Sequence, residues 1–156
     1  MCGAHATVRG LLGELIARSG LDNQDLIVDM EAGLEHLSRG TGKHVSQFIA
    51  VLEPYYRSME TVRRTVELAR ELGVADVQVV TNKIRNEDDR AVIAQYCSTH
   101  DLRVIGEIPY DPVLIDAERA AQPPVDFAPN TPAVRAMRDL AARLIGGPAT
   151  VSPSAP

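Results

Sequence analysis

The chain has 156 residues, 45% of them hydrophobic and 24% charged, with a formal net charge of −5. That length suits one domain with a real hydrophobic core, and the acidic balance argues against a general electrostatic grip on nucleic acid or on an anionic membrane. With no Trp and only 4% aromatics, the core has to be built from Val, Ile, Leu and Ala.

The first predicted element is a helix carrying Val8, Leu11, Leu12, Leu15 and Ile16 at helical spacing and stopped by Gly20. The run from Leu26 to Met30 reads as a short buried strand with Asp29 near its end, followed by a Gly-rich stretch from Gly33 to Gly42. Gln47 to Leu52 is the second strand, closed by Glu53 and Pro54. Ser58 is expected to cap a long helix with Met59, Val62, Val66, Leu68, Ala69 and Leu72 near one face and Gly73 at its end. Val77 to Thr81 is the third strand; Asp88 to His100 is a helix with Val92, Ile93 and Tyr96 on one face. Arg103 to Ile108 is the fourth strand, ended by Pro109, and a short helix follows from Val113 to Ala121. Gln122 to Pro132 has no regular pattern, and a last helix runs from Ala133 to Leu144. Residues 1–146 form one domain, and 147–156 read as a disordered tail of small residues and proline.

Continuous apolar strands separated by helices imply an α/β fold, a mostly parallel sheet with helices on both faces. Ligands of such sheets sit at the carboxyl ends of the strands, which points to Asp29 to Gly33, Glu53 to Tyr56, Thr81 to Arg85 and Pro109 to Asp111. Two cysteines cannot build a disulfide framework, so the expected setting is a reducing cytoplasm. Nothing at the start reads as a signal peptide, and no stretch approaches a membrane span.

At these strand ends each residue has a chemical and a plain reading. Asp29 can hold Mg²⁺ through its water shell or simply cap a turn. Gly33 allows backbone amides to approach a γ-phosphate. The amide of Asn82 is donor and acceptor at once, which suits a purine edge, although Asn is also common where a strand meets a loop. The guanine-binding pattern Asn-Lys-x-Asp requires an acid at position 85, which is Arg, so adenine is favoured. Pro109 can pack on a base or stop the strand, with Asp111 capping the next helix. Cys2 and His5 are spaced as half of a tetrahedral metal site. Cys97 and His100 repeat the spacing inside an amphipathic helix, where packing is the expected role. Arg39-Gly-Thr-Gly-Lys43 is no phosphate loop: Leu37 stands where the first Gly is required, and His44 replaces the Ser or Thr.

The run Asp29-Met-Glu-Ala-Gly-Leu-Glu-His-Leu-Ser-Arg-Gly-Thr41 resembles the switch II segment of the CooC-type ATPases, MinD/ParA-group P-loop proteins that mature nickel carbon monoxide dehydrogenase. Cys2 to Leu12 resembles the segment after that family's Cys-x-Cys metal motif; Thr81 to Lys83 and Ile108 to Asp111 resemble its base loops. The resemblance implies an ATP- and Mg²⁺-dependent homodimer that carries nickel, or another ion such as zinc, at its interface to a dehydrogenase or other metalloenzyme client. It implies Asp29 on Mg²⁺, Gly33 near the γ-phosphate, Asn82, Lys83, Pro109, Tyr110 and Asp111 around adenine, and Cys2 with His5 on the metal. The family's Walker A loop, its P-loop strand and the first Cys of its metal motif have no counterpart in the sequence. The expectation is a member cut inside its metal motif, whether by a truncated gene, a mis-called start or a split protein. Competing expectations are a MinD/ParA-type ATPase for another cargo and a non-catalytic α/β interaction module.

Overall fold

The structure is a computed structural model and describes residues 27–29 and 47–145. The expected first helix, the Gly-rich stretch with Gly33, the pair Cys2 and His5, and the tail lie outside the described residues. Described are β1 (Gln47–Leu52), α1 (Tyr56–Glu71), β2 (Asp76–Ile84), α2 (Glu87–Thr99), β3 (Val104–Pro109), α3 (Val113–Arg119), α4 (Pro124–Phe127) and α5 (Pro132–Ile145). The strands form one parallel sheet in the order β1-β2-β3, flanked by helices, as the alternation of apolar runs and amphipathic segments requires.

By its contacts the chain divides into two units, the second comprising residues 51–59 and 79–156 and the first the remainder. In the first unit Ala50, Val62, Val66, Ala69, Val74 and Val77 are buried. Val62, Val66 and Ala69 follow helical spacing along α1. Gly73 ends that helix with φ +83, a conformation that suits a residue without Cβ. The amide of Val74 donates to the Ala69 carbonyl at 3.1 Å and that of Gly73 to the Arg70 carbonyl at 3.0 Å, which closes a Schellman turn. At the strand starts, Gln47 Nε2 donates to Asp76 Oδ2 at 2.8 Å.

In the second unit the core is Leu52, Met59, Val79, Val80, Ile84, Ile93, Cys97, Leu102, Ala117, Ala133 and Val134. Helix α5 lies close against β3 because Gly106 has no side chain: a Cβ there would stand 3.1 Å from Leu140 Cδ1. Arg143 Nη1 donates to the Ile105 carbonyl at 2.9 Å along the same seam.

Four expectations need correction. Ile27 to Asp29 belong to no strand, and Ile27 is 89% exposed rather than buried. Ser58 does not cap α1, which begins two residues earlier; its Oγ instead accepts from the Glu53 amide at 3.0 Å. On α2 the buried residues are Ile93 and Cys97, whereas Val92 is 53% exposed. The stretch from Gln122 to Pro132 contains the single turn α4, started by Pro124, whose fixed φ and missing amide suit a first helical position.

Candidate functional site at the strand ends

The carboxyl ends of β1, β2 and β3 and the residues after them lie within the second unit. The site is shaped by a bulge in β2. Between the pairs Thr81↔Glu107 and Ile84↔Pro109, β2 advances three residues while β3 advances two. The extra residue falls at Asn82-Lys83, and Lys83 takes φ +60, a left-handed conformation that costs a residue with a Cβ about 1 kcal/mol or more. Bulges of this kind re-aim side chains at the edges of sites. Asn82 Oδ1 holds the kink by accepting from the Lys83 amide at 3.0 Å. Among the described residues, the Asn82 carboxamide nitrogen has no partner and is an unused donor.

Lys83 turns to the end of β1, where Nζ meets Glu53 Oε1 at 2.6 Å. The bond to Glu53 raises the lysine's pKa, against a smaller opposing cost of desolvation. The pair therefore contributes fully at pH values below the ordinary lysine range and is lost as pH rises through the elevated value. Since the Lys83 side chain is 49% exposed, its contribution is expected to stay under about 1 kcal/mol. Alkaline unfolding curves check this: Lys83→Met should flatten the loss of stability above the ordinary lysine pKa relative to the unaltered chain.

After β2 the chain turns at once into α2. Asn86 caps the helix, its Oδ1 accepting from the Asp89 amide at 2.8 Å, and Asp89 Oδ2 accepts from the Arg85 amide at 3.0 Å. These bonds fix the backbone from which Arg85 projects. Its Nη2 donates to the Tyr55 hydroxyl at 3.1 Å, and its guanidinium carbon lies 5.9 Å from the Tyr55 ring centre and 5.3 Å from that of Tyr110. Tyr110 is held in turn by its own amide, which donates to the Ile84 carbonyl at 2.8 Å. Pro109 sits opposite Ile84 in the ladder and is half-buried.

Asp111 faces inward. It is 8% exposed; Oδ1 accepts from the Val113 amide at 3.1 Å, and Oδ2 is 3.5 Å from the Ala133 amide at the start of α5. Both carboxylate oxygens thus serve backbone amides. Asp111→Ala is expected to cost about 1–2 kcal/mol, the range for a lost helix cap, and Asp111→Asn less, since one acceptor oxygen remains. Urea unfolding midpoints of the two variants check the order.

Of the expected site residues, the structure brings Asn82, Lys83, Pro109 and Tyr110 to neighbouring strand ends and engages Asp111 with the backbone amides of Val113 and Ala133. Asp29 lies exposed in the first unit. Glu53 and Tyr55 join the site without having been singled out, and Arg85, noted in the sequence only as the residue standing where a guanine-reading acid would be, joins it through its contacts with two rings. The strand-end rule pointed to their segments, but it does not say which side chains meet. The donor of Asn82, the half-buried Pro109 and the exposed rings fit a planar base. For phosphates the fit is poor, because Lys83 is already neutralised by Glu53. Among the described residues no group of three or more His, Cys, Asp or Glu is placed to hold a metal ion, and no helix is long and apolar enough to cross a membrane.

No family model matches the chain. It is 21% identical to the MinC:MinD cell division protein complex chain of Aquifex aeolicus, with a TM-score of 0.73 over 95% of this chain and 62% of that one. The MinD of Pyrococcus horikoshii complexed with Mg-ADP is 20% identical with a TM-score of 0.66, covering 87% of this chain and 56% of that one. The fold is therefore that of the MinD-type P-loop NTPases. In sequence, the chain is 36% identical over 123 residues to an uncharacterised ATP-binding protein of Methanocaldococcus jannaschii, covering 79% of this chain and 47% of that protein. It is 33% identical over 129 residues to the carbon monoxide dehydrogenase accessory protein CooC of Rhodospirillum rubrum, covering 83% of this chain and 47% of CooC. The chain is a relative of the CooC-type proteins of the MinD/ParA group and spans about half the length of the curated relatives it matches.

Proposed function

We propose that the chain carries the base-binding and nucleotide-sensing part of an ATP-binding maturation factor of the CooC type, which delivers nickel to carbon monoxide dehydrogenase. The observation that carries this reading is the 33% identity to CooC over 83% of the chain. Asn82 donates to the purine edge from its kinked position, with Pro109 and the Tyr110 ring beside the base. Bound Mg²⁺ would supply charge neutralisation at the γ-phosphate, and the resemblance assigns Asp29 to hold it and Gly33 to the γ-phosphate. Lys83 shapes the bulge and, paired with Glu53, does not serve as a phosphate cation. Asp111 holds the chain after β3 by accepting from the amides of Val113 and Ala133, at the starts of α3 and α5. Nickel, or zinc, is cargo, taken by Cys2 and His5 from each protomer of a homodimer acting in the cytoplasm.

The test is deletion of the gene in the organism that carries it, followed by measurement of nickel content and CO oxidation by the dehydrogenase. A nickel-poor dehydrogenase rescued by excess nickel is expected; full nickel content and activity would overturn the reading. A second reading, a MinD/ParA-type protein serving another cargo, draws on the 36% identity to an ATP-binding protein of Methanocaldococcus jannaschii. It predicts an unaffected dehydrogenase together with retained adenine-nucleotide binding. A non-catalytic interaction module predicts neither effect.

A further inference from the structure

Arg85 occupies the third position after Asn82, where the guanine-binding pattern Asn-Lys-x-Asp places its carboxylate. Its surroundings are unusual for an arginine. The guanidinium rests against the rings of Tyr110 and Tyr55, at 5.3 and 5.9 Å, and donates to a neutral phenol at 3.1 Å. Among the described residues it forms no ion pair. Its backbone is pinned through the Asp89 carboxylate and that of Tyr110 through the Ile84 carbonyl. Both tyrosine rings remain open to solvent, Tyr110 at 41% and Tyr55 at 44%. Arg85 thus presents an exposed guanidinium without an ion pair among the described residues, near two aromatic rings and three positions along the chain from the Asn82 donor.

From this geometry, resting on the base-binding reading above, we infer that Arg85 is a specificity-determining residue that selects adenine against guanine. A guanidinium has only donors. On the edge that a carboxylate at this position would read, guanine presents its N1–H and N2 amino donors, so Arg85 opposes donor with donor and charge with positive edge. Adenine presents the N1 lone pair, an acceptor that the guanidinium can satisfy. The hydrogen bond to Tyr55 and the cation–π approach to Tyr55 and Tyr110 restrain the guanidinium before a base arrives, which lowers the ordering cost of binding. An aspartate at the position would reverse the match, giving guanine's two donors an acceptor and leaving adenine's N1 facing a carboxylate.

The experiment is saturation-transfer NMR of the 156-residue chain with adenosine and guanosine monophosphates, a readout that registers the millimolar affinities expected for a base site without a phosphate cradle. Unaltered protein is expected to prefer the adenosine nucleotide. Arg85→Asp should shift the ratio of affinities toward guanosine by about tenfold, the scale of one or two hydrogen bonds exchanged for a clash. Arg85→Ala should bind both weakly and alike. Because Arg85 is exposed, circular dichroism should show all variants folded. If Arg85→Asp keeps the adenosine preference while Asn82→Ala abolishes it, the role of Arg85 is overturned and the base site stands. If neither nucleotide binds the unaltered chain, both fall.

Discussion

Purified as these 156 residues, the protein is expected to hydrolyse ATP at least ~100-fold below the roughly 10 s⁻¹ of an ordinary enzyme. Phosphoryl transfer is catalysed almost entirely by positioning and by charge stabilisation around the β- and γ-phosphates. In P-loop proteins that stabilisation comes from the amides and lysine of the Walker A loop, and the sequence contains no such run. The lysine nearest the strand-end site, Lys83, is bound to Glu53 at 2.6 Å and cannot take over the task without breaking that pair. Removing even one preorganised donor from an active site lowers turnover by about 10²–10³-fold. Phosphate release at saturating ATP and Mg²⁺ checks the prediction, and a rate comparable to ordinary ATPases would sink it. If the DNA upstream of Met1 encodes Gly-Lys-Gly-Gly-x-Gly-Lys-Thr in frame, the longer polypeptide should hydrolyse ATP, and the difference between the two measures what the loop contributes.

The second large effect concerns the seam between β3 and α5. Gly106→Val is expected to lower the unfolding free energy by about 1–3 kcal/mol, the usual cost of overpacking, at the half-buried contact between Gly106 and Leu140. The physical cause is local. A Cβ alone would stand 3.1 Å from Leu140 Cδ1, and the Arg143 guanidinium is 3.6 Å away on the same side. A β-branched side chain adds two methyl groups where one carbon is already too close. Gly106→Ala should cost less, because the leucine methyl can shift by a few tenths of an ångström. Combining Gly106→Val with Leu140→Ala should cost less than the sum of the two single changes, since each removes the other's conflict. Urea denaturation of the four variants reads this directly; strict additivity would show that the contact is not the cause.

Much of the fold was legible in the chain because it rests on local rules. The strand over Gln47–Leu52 was expected with the bounds it has, since a continuous apolar run closed by Glu53 and Pro54 leaves little choice. Gly73 ended its helix as expected because few other residues accept φ +83 cheaply. The end of β2 was not legible. Thr81-Asn-Lys83 reads as strand turning to loop, yet the strand continues to Ile84 through a bulge. A bulge is a mismatch between two strands, and neither sequence alone records it. The exposure of Val92 was missed for a related reason: helical spacing defines a stripe, but which side of it is covered depends on the partner.

The candidate site divides along the same line. By itself the sequence determined the class of fold, the segments that converge at the strand ends and the presence of Asn82 and Pro109 there. These follow from apolar periodicity and from the direction of parallel strands. The resemblance to CooC-type proteins was likewise carried by short runs of residues, Asp29 to Thr41 above all. Only the tertiary structure decided what the polar side chains do once they arrive. Asp111, expected beside the base, spends both oxygens on the amides of Val113 and Ala133, because the start of α5 lies close to the end of β3. Lys83, expected on the nucleotide, is bound by an acid thirty residues earlier in the chain. Arg85 meets rings from two other segments. Apart from the local bond between Asp111 and the Val113 amide, these pairings join residues far apart in sequence, and a hydrogen bond or a stack depends on ångström distances that spacing along the chain does not encode.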